Sequence, residues 1–107
     1  MSEFNKREEG FEKKFALDEE QKFRAEARRN RLLGLWAAEK LGITGEAATA
    51  YAREVVAADF EEAGDGDVLR KVMADFAARN VAVTEPTIRA KMSELIAVAA
   101  AEVKGGK

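Results

Sequence analysis

Along most of this chain apolar residues recur at the spacing of one helix face, and turn residues divide the pattern into successive helices. Asp18 stands as an N-cap with Gln21 three residues on, the signature of a capping box. A helix is predicted from there over residues 19–41, with Leu32, Leu33, Leu35, Trp36 and Leu41 as its apolar positions. Gly42 lies just beyond it, where a left-handed residue closes a helix. Thr44 is the next N-cap. The helix it starts carries Ala48, Tyr51, Ala52, Val55, Val56 and Phe60 in one unbroken stripe, stopped by Gly64 and Gly66. Asp65 or Asp67 caps a further helix whose inner face is Val68, Leu69, Val72, Met73 and Phe76 and which ends near Asn80; its acidic start suits the helix dipole. A short extended link at 81–83 leads to Thr84, Glu85 and Pro86, a strong helix start. The last helix places Ile88, Met92, Leu95, Ile96, Ala99 and Val103 on one face. Only 81–83 could read as a strand, and no fixed-period repeat is present. The pattern therefore predicts an all-α protein, a small four-helix bundle over residues 18–104 with a disordered tail at 105–107.

The first seventeen residues differ in kind. Before Leu17 their only large apolar side chains are Phe4, Phe11 and Phe15, which on a helix fall within about 40° of arc. That is a narrow seam, whereas a helix belonging to a core shows an apolar stripe of about 100° or more. Arg7, Glu8, Glu12 and Lys14 flank it, and Gly10 in its middle costs about 1 kcal/mol of helix stability against Ala. So short a helix is marginal in water on its own. Residues 1–17 are accordingly expected to be a short, conditionally ordered N-terminal helix. Aromatic anchors at helical spacing with charged flanks suit a ligand for a hydrophobic groove. The same rings could instead dock on the protein's own bundle. The two readings are compatible, because a segment that covers its own body at rest can leave it to bind.

Composition narrows the chemistry. The chain has 107 residues, 47% hydrophobic and 36% charged, with no Cys and no His. One domain of this length can bury a core without staples. The absence of Cys removes disulfides, thiolate nucleophiles and Cys-type zinc sites, and the absence of His removes the commonest general base and metal ligand. Ser2 and Ser93 have no His to activate them, and the carboxylates are expected on exposed faces, so no enzyme is read here. The acidic stretch from Asp59 to Asp67 fails as a calcium loop, since Ala63 and Arg70 occupy positions five and twelve; a helix end followed by an acidic cap explains it. Gly42 to Gly45 matches a nucleic-acid-binding G-x-x-G only by accident, the strands of that fold being absent. No metal site is expected and no cofactor motif is present; weak binding of an adenine nucleotide has no motif to carry it.

The net charge is −2, but nine of the 18 Lys/Arg lie in the first 31 residues. Lys22, Arg24, Arg28, Arg29 and Arg31 form the one dense basic patch. Their positions spread around the helix, so a solvated surface is the simpler reading, with a docking or anion-binding site as the functional one. A nucleic acid or another polyanion is thus the alternative partner, although the near-neutral total argues against nucleic acid. The longest apolar run, Leu95 to Ala101, is far short of the ~20 residues that span a bilayer. With no apolar signal core at the start of the sequence, a cytoplasmic location is expected.

Several stretches together carry a family resemblance. They are Phe11-Glu12-Lys13-Lys14-Phe15-Ala16, the run from Ala27 through Arg28-Arg29-Asn30-Arg31-Leu32-Leu33-Gly34-Leu35-Trp36 to Ala37-Ala38-Glu39, and Thr44-Gly45-Glu46-Ala47. Tyr51-Ala52-Arg53-Glu54-Val55-Val56, Asp59-Phe60-Glu61-Glu62 and Asp67-Val68-Leu69-Arg70-Lys71-Val72 agree as well. The sequence resembles the zeta subunit family, inhibitors of the bacterial F-type ATP synthase. The resemblance implies a four-helix bundle with an N-terminal inhibitory arm that becomes helical between catalytic and non-catalytic subunits and blocks rotation in the hydrolytic direction. Carried over by position, Phe4, Arg7, Glu8, Phe11, Lys14 and Phe15 are the arm's contacts, and the partners are the catalytic-sector subunits. It further implies a monomer when free and a peripheral association with the membrane when bound. Two positions depart from the pattern: Ala63 stands where Pro commonly follows the Glu-Glu pair, and Gly10 where Ala is commoner. The second raises the ordering cost of binding.

Overall fold

The structure, a computed structural model, describes residues 17–59 and 66–105. Four helices follow in order, α1 (Glu19–Leu41), α2 (Gly45–Ala58), α3 (Gly66–Ala78) and α4 (Glu85–Lys104), and no strand occurs among the described residues.

Local chemistry sets most of the ends. Asp18 accepts from the Gln21 N–H at 2.7 Å while the Gln21 side chain accepts from the Asp18 N–H at 3.2 Å, the predicted capping box. Gly42 at φ 80° closes α1, with the Gly42 N–H donating to Glu39 and the Ile43 N–H to Ala38. Asn80 at φ 58° ends α3 in the same way, its own N–H donating to Ala77 and that of Val81 to Phe76. Residues 81–83 form a tight turn, the Val83 N–H donating to the Val81 carbonyl at 3.1 Å, and not a strand. The Thr84 side chain accepts from the Thr87 N–H and Pro86 sits in the first turn of α4, as the sequence predicts.

Two sequence expectations are corrected. α2 ends at Ala58, short of Phe60; Phe60 and Gly64 lie outside the described residues. Gly66 opens α3 instead of stopping α2, and Asp67 falls inside its first turn; Asp65, the other expected cap, lies outside the described residues. Thr44 is the N-cap of α2, as the sequence predicts, with the extended backbone of that position although its side chain makes no capping bond.

Position along the helices decides the packing. α1 packs against α2 and α4, and α3 covers the C-terminal half of α1. Phe76 of α3 meets Trp36 of α1 edge-on, with ring centroids 5.9 Å apart. The main core gathers Leu33, Ala37, Leu41, Val55, Val72 and Ile88 with Phe76. Full burial of Leu33, Phe76 or Ile88 contributes about 1.5–3 kcal/mol each. A second, smaller cluster joins Leu17 and Ala25 to Ala99, Ala100 and Val103 of α4, with no residue of α3. Between the two on α1 sit Arg29 and Asn30, the only buried polar residues among those described. Among the described residues the bundle is thus four-sided at one end and three-sided at the other, near Leu17.

Candidate functional site

The six expected arm contacts, Phe4, Arg7, Glu8, Phe11, Lys14 and Phe15, lie outside the described residues. Leu17, the last residue of the expected arm, is described and buried against α1 and α4.

The structure sorts the basic patch into unlike members. Arg29 is only 8% exposed, and its Nε–H donates to Asn30 Oδ1 at 2.9 Å. Burial therefore takes it out of any exposed cationic surface. Arg28 bridges helices, pairing with Glu102 of α4 at 3.0 Å. Arg24 pairs with Glu20 one turn back at 2.9 Å, both side chains well exposed. Lys22 is half-buried, and Arg31 is exposed.

With Lys22 and Arg29 set apart, the remaining cations share a place. Arg24, Arg28 and Arg31 fall within about 60° of α1's circumference. Together with Phe23, Ala27, Val56 of α2 and Val103 of α4 they line a groove of about 390 Å³. Its floor is apolar and its edge is guanidinium. Phe23 is 65% exposed, the one large aromatic so open among the described residues. A smaller hollow adjoins it, sharing Phe23, Ala27 and Val56 and adding Glu26, Asn30 and Asp59. The Nδ2 of Asn30, fully buried, has no acceptor among the described residues. Sequence reading passed over Phe23 because it lies off the core stripe; its spacing with Arg24, Ala27, Arg28 and Arg31 was the available signal.

A polar cluster on the other end of α2 was also missed, since its members lie on two helices. Tyr51 Oη donates to Asp75 Oδ2 at 2.7 Å, and Lys71 Nζ reaches Asp75 at 3.0 Å and Glu54 at 3.2 Å. Asp75 is therefore half-buried and not the exposed carboxylate that the sequence suggested. Burial pushes the Tyr51 phenol far above its ordinary range, and the hydrogen bond to Asp75 and the charges of Asp75 and Glu54 push it further. For Lys71 the largest single influence, burial, pulls downward, but hydrogen bonds to Asp75 and Glu54 outweigh it and the net movement is upward. Arg79 donates from Nη1 to the Leu41 carbonyl at 3.2 Å, holding the end of α1. These groups join α2 to α3 and α3 to α1. A phenol held protonated beside an ammonium held protonated is suited to cross-linking helices, and neither is poised as a base near neutrality.

The class these features define is an all-α four-helix bundle with an open, arginine-edged groove beside the point where the chain enters it. No group of three or more His, Cys, Asp and Glu among the described residues is placed to hold a metal ion, and no helix among them is long and apolar enough to cross a membrane. The chain belongs to the ATPase inhibitor subunit zeta family, whose sequence model matches residues 1–102. A protein structure determined in solution by NMR is similar to it at 53% identity with a TM-score of 0.70, the match covering 79% of this chain and 96% of that one. No curated protein matches.

Proposed function

We propose that this chain inhibits ATP hydrolysis by an F-type ATP synthase, with the bundle from Leu17 onward as anchor and the preceding residues as the inhibitory element. The observation that carries this is the family match, which spans residues 1–102 and so includes the segment with the three-Phe seam. In this reading the N-terminal segment orders into a helix at an interface of catalytic and non-catalytic subunits. Phe4, Phe11 and Phe15 are its anchors, with Arg7, Glu8 and Lys14 on the flanks, and its bulk blocks rotation in the hydrolytic direction. Such inhibition works by occupying space, so it asks for no nucleophile, metal or cofactor. The protein is then a monomer when free and peripheral to the membrane when bound to the catalytic sector.

The other reading, a polyanion-binding module through Lys22, Arg24, Arg28, Arg29 and Arg31, is less well supported. Arg29 is buried, and Arg24 and Arg28 are already paired with carboxylates. A pull-down with the whole chain tests the proposal. Recovery of ATP synthase subunits supports it, while recovery of nucleic acid alone, lost steeply with salt, favours the polyanion reading.

A further inference from the structure

Between its two apolar clusters α1 carries a wholly buried side-chain amide, Asn30, whose two ends have unlike surroundings. The oxygen accepts from Arg29 Nε at 2.9 Å. The nitrogen brings two N–H donors into the interior and meets no acceptor among the described residues. Exchanging the oxygen and nitrogen brings no relief, because a guanidinium only donates and would then face an NH2 group. Buried donors in native proteins are nearly always bonded, and ordered water is a common partner. We infer that the hollow beside Asn30 is a hydration site, in which about two ordered waters accept from Asn30 Nδ2 and donate to the carboxylates of Glu26 and Asp59.

Three features of the hollow fit that occupant. The first is size. Its volume is about 80 Å³, and a water's share of the liquid is about 30 Å³, so it accommodates water and excludes a metabolite. The second is the set of polar partners. A buried water needs about two to four of them. Asn30 supplies donors from α1, Glu26 stands one turn back on the same helix, and Asp59 caps the end of α2. A carboxylate has lone pairs for several bonds, so Asp59 can take a water alongside its other contacts. The third is the remaining wall, Phe23, Ala27 and Val56, which is apolar and has no side-chain acceptor to offer the amide.

The polarity also selects water over an ion. A water turns an N–H facing two carboxylates into a continuous chain, accepting at one side and donating at the other. An anion would satisfy the amide but face both carboxylates. A metal cation would suit the carboxylates but meet the amide hydrogens. Helix geometry sets the place. Asn30 lies one turn before Gly34 on the same face of α1, and Val56 one turn beyond Ala52 on α2. Gly34 packs directly on Ala52, whereas the larger Asn30 and Val56 leave the hollow between the same two helices. The waters therefore tie the middle of α1 to the end of α2, in a joint that is otherwise apolar.

The test uses the intact, isotope-labelled chain, with water itself as the probe. None of the described residues lining the hollow carries a hydroxyl or ammonium, and the methyl protons of Ala27 and Val56 do not exchange with solvent. A dipolar contact between those methyls and the water resonance therefore reports water inside. The expected result is such a contact at Ala27, at Val56 and at the Asn30 amide protons. Its sign should differ between laboratory-frame and rotating-frame measurements, as for water that tumbles with the protein. Absence of the contacts, or one sign in both frames as for passing surface water, overturns the proposal.

Two variants show what holds the water. Asn30→Leu removes the donor, and the contacts at Ala27 and Val56 should vanish; their persistence would mean that Asn30 does not bind the water, and overturns the proposal. Ala27→Leu fills the hollow from a half-buried position and leaves the Arg29–Asn30 pair in place, so it decides the matter if Asn30→Leu does not fold. The contact at Val56 should be lost and the Asn30 amide protons should move upfield as their acceptor leaves. Amide protons that stay where they were would have an acceptor other than water, and that result overturns the proposal.

Discussion

A Cβ at Gly34 would stand 2.6 Å from the Cα of Ala52, so α1 and α2 approach backbone to backbone here. Gly34 is mid-helix, where glycine costs about 1 kcal/mol relative to alanine. Gly34→Ala would recover that propensity but drive the helices apart, and overpacking of a tight core costs about 1–3 kcal/mol. The expected outcome is a net loss of stability, read as a fall of several degrees in thermal unfolding followed by helical circular dichroism. A stabilised variant would mean that α1 and α2 are less closely packed than described.

Tyr51 is the chain's single tyrosine, so its ionisation can be followed alone by ultraviolet absorbance. In the unfolded chain a phenol ionises near pH 10; in the fold, burial and then the bond to Asp75 hold it protonated to higher pH. Its contribution to stability is complete below about pH 10 and is lost as pH rises beyond, and the upward shift of Lys71 has the same sign. The phenolate signal should therefore appear together with the loss of helix under alkaline conditions. A phenolate that forms near pH 10 with the helices intact would contradict the buried bond. Tyr51→Phe should cost about 0.5–1.5 kcal/mol, measured by denaturant unfolding near neutral pH.

Arg29 and Arg31 are two residues apart and should behave oppositely. Arg29→Ala leaves the buried Asn30 Oδ1 without its donor and should cost about 1–3 kcal/mol. Arg31→Ala, at an exposed position, should change stability by less than about 0.5 kcal/mol. Equal losses from both would undo the division of the basic patch into a buried and an exposed part.

That division shows what the sequence could and could not convey. Helix starts were legible wherever a side chain does the capping, as at Asp18 with Gln21 and at Thr84 with Pro86. The buried face of α1 was not. It is made of Ala25, Arg29, Asn30, Leu33, Gly34, Ala37, Ala38 and Leu41, mostly small or polar, while Leu32, Leu35 and Trp36 are only half-buried. An apolar pattern weights large side chains, whereas close helix packing selects small ones. The groove and the Tyr51–Asp75 bond depend on which helices become neighbours, and periodicity within one helix carries no such information. The three-Phe seam stands out because little else in its segment competes for burial.

With no His in the chain, its own side chains supply no imidazole titration. Inhibition of ATP hydrolysis, corrected for the target's own profile, should show no step between pH 6 and about 8. A step that persists after that correction would place a titrating group of this chain in the inhibitory contact.

The most direct measurement of the central claim is inhibition of ATP hydrolysis by the intact chain and by its Phe11→Ala, Phe15→Ala variant, titrated against the same preparation of F-type ATP synthase. Each aromatic anchor carries about 2 kcal/mol or more when it is a binding hot spot, so the half-inhibitory concentration should rise at least tenfold while the bundle's helical signal stays unchanged. Equal inhibition by the two proteins would contradict the assignment of residues 1–16 as the inhibitory element.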